Sequence, residues 1–142
     1  MATEILVNDG GAPARIMNLG NANAAIEAGM FVDINSSGKI IAATDDQEAA
    51  GSGDKVALGV LLVDAVSGAP TSIITGKGIV CNVQAAEALS TVGTEVTIDN
   101  AGKVEATADA DTHRAVGITL AASFTGSDSS GNDTTFVKVL LL

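Results

Sequence analysis

The chain is a succession of short apolar runs separated by turns of Gly, Asn, Asp and Ser. The apolar run at residues 30–34 leads into a polar turn and then into a second apolar run at 39–43, which is typical of a β-hairpin. Residues 95–98 and 103–107 alternate between polar and apolar side chains on either side of a Gly-containing turn. Because a period of two is the pattern of a half-buried strand, these residues predict a second hairpin.

Other short segments rich in β-branched residues are also predicted to be strands. They are residues 55–63, 72–74, 79–83, 115–121 and 135–142. Two Ala-rich segments, 22–28 and 84–89, are each predicted to form one or two helical turns before a glycine. The sequence therefore predicts an all-β fold, a small barrel or sandwich with one or two short helical turns.

The two hairpins superimpose when the chain is shifted by 64 residues. Val32 then coincides with Val96, and the turn residue Gly38 coincides with Gly102, each followed by a lysine. Self-similarity at a fixed spacing indicates an internal duplication. One unit alone would be a half-open sheet with exposed edges, and two units would close each other. The alternative interpretation is that two hairpins resemble each other through their turn chemistry alone.

This duplication defines the predicted domain organisation. Residues 15–142 are predicted to form one domain built from two repeats, 15–78 and 79–142, and residues 1–14 are predicted to be an N-terminal arm. The apolar part of the arm either folds back on its own domain or adds as a strand to a neighbouring subunit. We expect the domain to remain folded without residues 1–13 but to attach more weakly to its partner. The candidate partner-binding residues in the arm are Ile5, Leu6 and Val7.

Charge and composition restrict the partners. The formal net charge is −10, from 17 acidic and 7 basic residues, which argues against direct binding of nucleic acid or of an anionic membrane surface. The chain is 46% hydrophobic but 2% aromatic, with no Trp or Tyr, so it lacks the aromatic platforms on which bases and sugars stack. The start of the chain shows no signal peptide and no apolar stretch is long enough to span a membrane, so we expect synthesis in a cytoplasm.

Few residues could carry catalytic or redox chemistry. Cys81 is the single cysteine, which excludes a disulfide scaffold, and we expect it to be buried. His113 is the single histidine and lies in a polar connector, which favours a solvated loop. Asp109 and Asp111 alternate with His113, so a metal site on one strand face is the less favoured alternative.

Two acidic stretches, residues 45–48 and 128–133, offer oxygen ligands for Ca²⁺. Neither has the spacing of a calcium-binding loop, and Asp, Asn, Ser and Gly together favour turn formation instead. The sequence contains no nucleophile elbow, phosphate-binding loop or dinucleotide-binding motif. We therefore predict no catalytic, cofactor-binding or metal-binding residues and expect the protein not to be an enzyme.

Several motifs occur in a fixed order along most of the chain: an Ala-Gly pair before a strand, a Gly-centred hairpin, a Leu-Gly-Val strand and a Gly-x-Gly turn. These motifs lie at residues 27–32, 37–40, 57–61 and 75–80, the second half repeats the strand at 115–120, and the chain ends on a strand at 136–142. This order is similar to that of the small decoration, or cement, proteins of tailed-bacteriophage heads.

The resemblance implies a compact β-barrel that forms homotrimers on the outer surface of an icosahedral head. It implies that the trimer bridges neighbouring subunits of the major capsid protein, that the protein is part of the virion, and that it has no catalytic residues. In such a protein the apolar arm would grip an adjacent subunit by strand addition. The alternative that we retain is a small ligand-binding β-module, for example one that binds carbohydrate.

Overall fold

The protein consists of β-strands joined by turns and loops in a computed structural model, which describes residues 2–8, 15–44, 56–106 and 114–142. No helix occurs in these ranges, and the predicted all-β class is confirmed. The strands are β1 (Leu6–Asn8), β2 (Arg15–Met17), β3 (Phe31–Ile34), β4 (Ile40–Ala42), β5 (Gly59–Leu61), β6 (Ile73–Thr75), β7 (Val80–Gln84), β8 (Glu95–Ile98), β9 (Val104–Ala106), β10 (Gly117–Thr119), β11 (Phe124–Ser127) and β12 (Asp133–Leu141).

The strands form two antiparallel sheets in a sandwich-like arrangement. The five-stranded sheet has the order β2-β6-β5-β3-β4. The seven-stranded sheet has the order β1-β7-β12-β10-β8-β9, and β11 pairs with the first residues of β12. Both sheets have open ends among the described residues, so the fold there corresponds to the sandwich and not to the closed barrel.

The main hydrophobic core contains buried side chains from both sheets. Phe31, Val60 and Ile74 of the five-stranded sheet belong to the same cluster as Val96 and Val139 of the seven-stranded sheet. These side chains come from alternate strand positions, because successive residues of a strand point to opposite faces. A second, smaller cluster lies on the five-stranded sheet and consists of Ala22, Ile26, Val32, Ile40, Leu61, Ala65 and Ile73.

The two predicted hairpins are β3–β4 and β8–β9, and both have the same register. Val32 pairs with Ala42 in the first hairpin, and Val96 pairs with Ala106 in the second. The predicted strands therefore form where the apolar periodicity placed them, with ends that differ by one or two residues.

The turns of the two hairpins are closed by the same hydrogen bonds. The side-chain oxygen Oδ1 of Asn35 accepts the backbone N–H groups two and four residues further on, each at 3.0 Å. Oδ1 of Asp99 accepts the equivalent N–H groups at 2.8 and 2.9 Å. Gly38 and Gly102 have φ values of +76° and +73°, a conformation that residues with a Cβ rarely adopt. Asx-type turn chemistry thus determines both hairpins locally.

The order of strands is equivalent in the two sheets. The series β2-β6-β5-β3-β4 corresponds to the series β7-β12-β10-β8-β9. Ile16 pairs with Ile74 as Val80 pairs with Leu140, and Ile16 and Val80 lie 64 positions apart in the sequence. The additional strands of the larger sheet are β1 and β11. Two copies of one unit would produce this arrangement, and the repeat boundaries themselves stay predictions.

The two Ala-rich segments, 22–28 and 84–89, do not form the predicted helical turns. Their backbone groups pair with distant strands instead: the Asn23 N–H donates to the carbonyl of Ile40 in β4 at 2.8 Å, and the Ala86 N–H donates to β9 at the same distance. A helix this short has little stability of its own. The prediction was wrong because long-range backbone hydrogen bonds at the sheet edges outweigh the helical propensity of Ala.

Candidate interaction surfaces

The described part of the N-terminal arm, residues 2–8, lies on its own domain and contains β1, which is the first of the two predicted alternatives. Leu6 pairs with Cys81 in the middle of β7. The Asn82 backbone N–H donates to the carbonyl of Ile5 at 2.8 Å, and the Asn82 side-chain Nδ2 donates to the carbonyl of Glu4 at 2.8 Å. The arm is therefore held on β7 by both backbone and side-chain hydrogen bonds.

A second contact holds the start of the arm against β11. The Thr3 N–H donates to the carbonyl of Ser127 at 3.0 Å, and the Ser127 N–H donates to the Thr3 hydroxyl at 3.1 Å. The arm thus spans from β7 to β11 in the same sheet.

The three predicted partner-binding residues have different environments. Ile5 is 5% exposed and belongs to the main core, and Leu6 is half-buried against that core. Val7 is 39% exposed. In the folded arm, Val7 is therefore the member of this group with a large apolar surface open to a partner. Partner binding by Ile5, Leu6 and Val7 stays a prediction.

Two buried amide side chains lie on β7 beneath the arm. The Nε2 of Gln84 donates to Oε2 of Glu27 and to the carbonyl of Ala28, both at 3.0 Å. The oxygens Oε1 of Gln84 and Oδ1 of Asn82 accept no hydrogen bond from the described residues. A buried polar group without a partner costs about 1–3 kcal/mol. The nitrogen atoms of the same two side chains donate to the arm at Glu4 and to the loop at Glu27 and Ala28.

Cys81 lies under the arm and is buried, as expected. Burial raises the pKa of the Cys81 thiol to about 12, because the thiolate would lose its hydration there. The thiol is therefore protonated and unreactive near neutral pH.

The outer edge of β2 is a surface that the sequence patterns did not reveal. All three residues of β2 are exposed, with Ile16 at 48% and Met17 at 44%. One side of β2 pairs with β6, and no described segment pairs with the other side. A strand of three residues is too short for a period-two pattern to stand out, so the sequence gives no signal for β2.

Three cavities on the described surface lie near the segments discussed above or carry charged residues. One cavity of about 170 Å³ lies beside the arm and is lined by apolar side chains together with Asp64 and Asp128. Another, of about 230 Å³, contains the cations Lys77 and Arg114 at its rim. The third, of about 220 Å³, lies beneath the segment that carries Leu89. Within the described residues, no three His, Cys, Asp or Glu side chains come together to hold a metal ion.

The other candidate residues divide into two groups. His113, Asp109, Asp111 and the acidic stretch 45–48 lie outside the described residues. In the stretch 128–133, the structure shows turn formation: Oδ1 of Asp128 accepts the backbone N–H groups of Ser130 and Asn132 at 2.9 and 2.8 Å.

The aromatic side chains form no exposed platform for a sugar ring. Phe31 and Phe136 are buried, and Phe124 stacks on Phe136 with ring centroids 6.1 Å apart. Phe124 is 40% exposed and is a single, partly covered ring. The described chain also contains no helix long and apolar enough to cross a membrane.

Comparison with known proteins gives a similarity of fold. No protein-family model matches the sequence, and no curated protein sequence matches it. The structure is similar to the N base of the head fiber gp8.5 from bacteriophage phi29, with a TM-score of 0.65 and 15% sequence identity. The match covers 92% of this chain and 95% of that chain. The two proteins therefore share a fold over nearly their whole length.

Proposed function

We propose that the protein is a structural component of a tailed-bacteriophage head, made in the host cytoplasm and bound to the outer surface of the capsid. The observation that carries this proposal is the fold shared with a phage head-fiber base across nearly all of both chains. The order of motifs along the sequence, which resembles the cement proteins of phage heads, supports the same role from independent data.

In this role the protein acts as a cement that bridges neighbouring subunits of the major capsid protein, and copies of it associate as a homotrimer. Hundreds of equivalent sites on a head convert weak single contacts into firm attachment. The net charge of −10 keeps free copies apart before assembly and keeps them off the packaged DNA. No catalytic step, cofactor or metal is part of this function.

The proposal is tested by co-sedimentation with heads assembled without this protein. We expect saturable binding, with a copy number that is a multiple of the capsid symmetry, and heads that open at a higher temperature once decorated. Binding that never saturates, or decorated heads that open at the same temperature as bare heads, would contradict the cement role.

A ligand-binding β-module is the alternative function. The burial of Phe31 and Phe136 and the lack of Trp and Tyr count against a carbohydrate site. A glycan array on the purified protein separates the two functions, because a cement protein should bind no glycan selectively.

A further inference from the structure

Several strands that would otherwise lie at an edge of a sheet are covered by other segments of the chain. The edge of β4 pairs with residues 21–23, where the Ile40 N–H donates to the carbonyl of Asn21 at 2.9 Å. The edge of β9 is covered by Ala85 and Ala86 in the same way. The edge of β7 is covered by the arm. These covers remove the unpaired backbone groups through which sheets aggregate.

Two strands keep an outer edge along which no described segment pairs. They are β1 at the end of the seven-stranded sheet and β2 at the end of the five-stranded sheet. A third edge, that of β11, is held at Ser127 by Thr3. Among the described residues, each sheet thus has an end strand, β1 or β2, whose outer edge pairs with nothing.

We propose that these two edges pair with each other between copies of the chain, the outer edge of β1 in one copy against the outer edge of β2 in the next. The pairing would join the seven-stranded sheet of one protomer to the five-stranded sheet of its neighbour. This inference rests on the self-association included in the proposed function and names the surface that carries it.

The side chains on the two edges fit this pairing. Val7 on β1 and Ile16 and Met17 on β2 are each at least 39% exposed, so both edges carry apolar side chains that are open to a partner. The exposed Glu4 lies two residues before β1, and the exposed Arg15 is the first residue of β2. Open apolar edges are normally blocked by charge or by a bulge, and these are explained if another copy covers them.

The equivalence of β2 and β7 supplies the second argument. Ile16 and Val80 occupy the same place in their sheets, and β7 already accepts a strand on its outer side. The strand that it accepts is apolar and short, with Leu6 opposite Cys81. The backbone of β2 has the same position in the sheet, and its outer side can therefore accept a strand of the same kind.

The pairing has a defined symmetry. Each copy gives one β1 edge and receives a neighbour on one β2 edge, so the interface is heterologous and successive copies form a ring if the rotation closes. Three such interfaces close a trimer.

Cysteine cross-linking tests the pairing directly. Residues opposite each other on adjacent strands have Cβ atoms about 4.5–5.5 Å apart, close enough for a disulfide after a small adjustment. We expect a mixture of the full-length Val7→Cys and Ile16→Cys proteins to form at least about ten times more cross-linked dimer under mild oxidation than either protein alone. The native Cys81 does not interfere, since it is buried with a raised thiol pKa.

Two controls and the double variant make the test specific. Thr125→Cys places a thiol on the third edge, and Val92→Cys places one on an exposed turn away from both edges. Neither should cross-link with Ile16→Cys above the single-variant level. The protein carrying both Val7→Cys and Ile16→Cys should give a ladder that ends at the covalent trimer.

The outcomes separate this inference from the function on which it rests. Cross-linking by Ile16→Cys alone would indicate a two-fold β2–β2 contact and overturn the proposal, as would equal cross-linking with Thr125→Cys. Oligomers seen by sedimentation, free or on heads, that form no Val7–Ile16 disulfide would refute the edge pairing and leave self-association intact. A protein that stays monomeric and uncross-linked both in solution and on heads would refute both.

Discussion

The strands β7 and β2 occupy equivalent places in their sheets, yet four of the five residues of β7 are buried and all three of β2 are exposed. The arm pairs with the outer side of β7 and has no counterpart among the described residues beside β2, and Cys81 and Val83 of β7 also belong to the main core. Two strands at equivalent places in their sheets therefore differ in burial because different segments pack against them. The comparison shows that burial belongs to the assembled sheet and not to the strand alone.

The largest expected effect comes from removing the core anchor of the arm. Ile5→Ala should lower the free energy of unfolding by about 2–4 kcal/mol, because it removes a buried side chain from the main core and leaves a cavity. Chemical denaturation measures this change. Val7→Ala is the matched control and should cost less than about 0.5 kcal/mol because Val7 is partly exposed.

If Ile5→Ala lowered the free energy of unfolding as little as Val7→Ala, the arm would not anchor the fold. The same measurement on a protein without residues 1–13 tests the expectation that the domain stays folded. From the contacts of Ile5 and Thr3 with β7 and β11, we expect a folded but markedly less stable protein.

The second effect concerns the thiol under the arm. Because burial raises the pKa of the Cys81 thiol to about 12, the unfolded thiol ionises at lower pH than the folded one. The stabilisation is fully present below about pH 8.5 and is lost as the pH rises toward 12. At pH 10 the free energy of unfolding should be about 1–2 kcal/mol lower than at pH 7 through this group.

The free energy of unfolding is measured from pH 7 to pH 10 for the natural protein and for Cys81→Val. The difference between the two gives the contribution of this thiol, because the lysines are the same in both proteins. A constant difference would show that the site does not disfavour the thiolate. The variant Met17→Cys puts a thiol at the equivalent position of β2, where it should react rapidly with a thiol reagent while Cys81 does not.

The third effect compares the two hairpins. Asn35→Ala and Asp99→Ala should each cost about 1 kcal/mol of unfolding free energy, since each removes one oxygen that accepts two backbone N–H groups. Asp99→Asn is the conservative control and should cost less, because Asn35 performs the same task in the other turn. A loss at one turn and none at the other would show that the hairpins are not equivalent.

The smallest effect is expected at the open edge. At a protein concentration that keeps the chain monomeric, Ile16→Lys should change the free energy of unfolding by less than about 0.5 kcal/mol, because the side chain is half exposed. If Ile16→Lys lowered the free energy of unfolding of the monomer by more than about 1 kcal/mol, another part of the same chain would have to cover β2. The difference between an open β2 and a covered β7 would then disappear.

The elements with local signals were predictable. In the hairpins β3–β4 and β8–β9, polar and apolar side chains alternate along the strands, and an Asx-type turn with a glycine joins them. Each of these signals lies within about a dozen residues of the chain. The remaining apolar runs also became strands. In contrast, β2 and β11 were not predicted, since Arg15–Met17 is short and Phe124–Ser127 lies in a Gly- and Ser-rich region without clear alternation.

The candidate surfaces were predictable in part. The apolar segment Ile5, Leu6 and Val7 was recognised as an element outside the repeat, but its composition fits a strand on its own domain and a strand on a neighbour equally well. Its pairing with Cys81 joins the arm to the start of the second predicted repeat, and no local pattern reports such a long-range contact. The helical turns predicted for the Ala-rich segments are wrong for the same reason, because the backbone groups of these segments pair with strands far away in the sequence.

The amino-acid sequence by itself determined the β-class, the two hairpins with their turns, the acidic surface and the 64-residue self-similarity, because each of these depends on side-chain chemistry or on spacing along the chain. The tertiary structure decided which edges are covered, where the arm lies and which strand is left open. Those outcomes depend on backbone hydrogen bonds between segments far apart in sequence. Such bonds form between N–H and C=O groups that every residue except proline carries, and residue identity alone does not specify their partners.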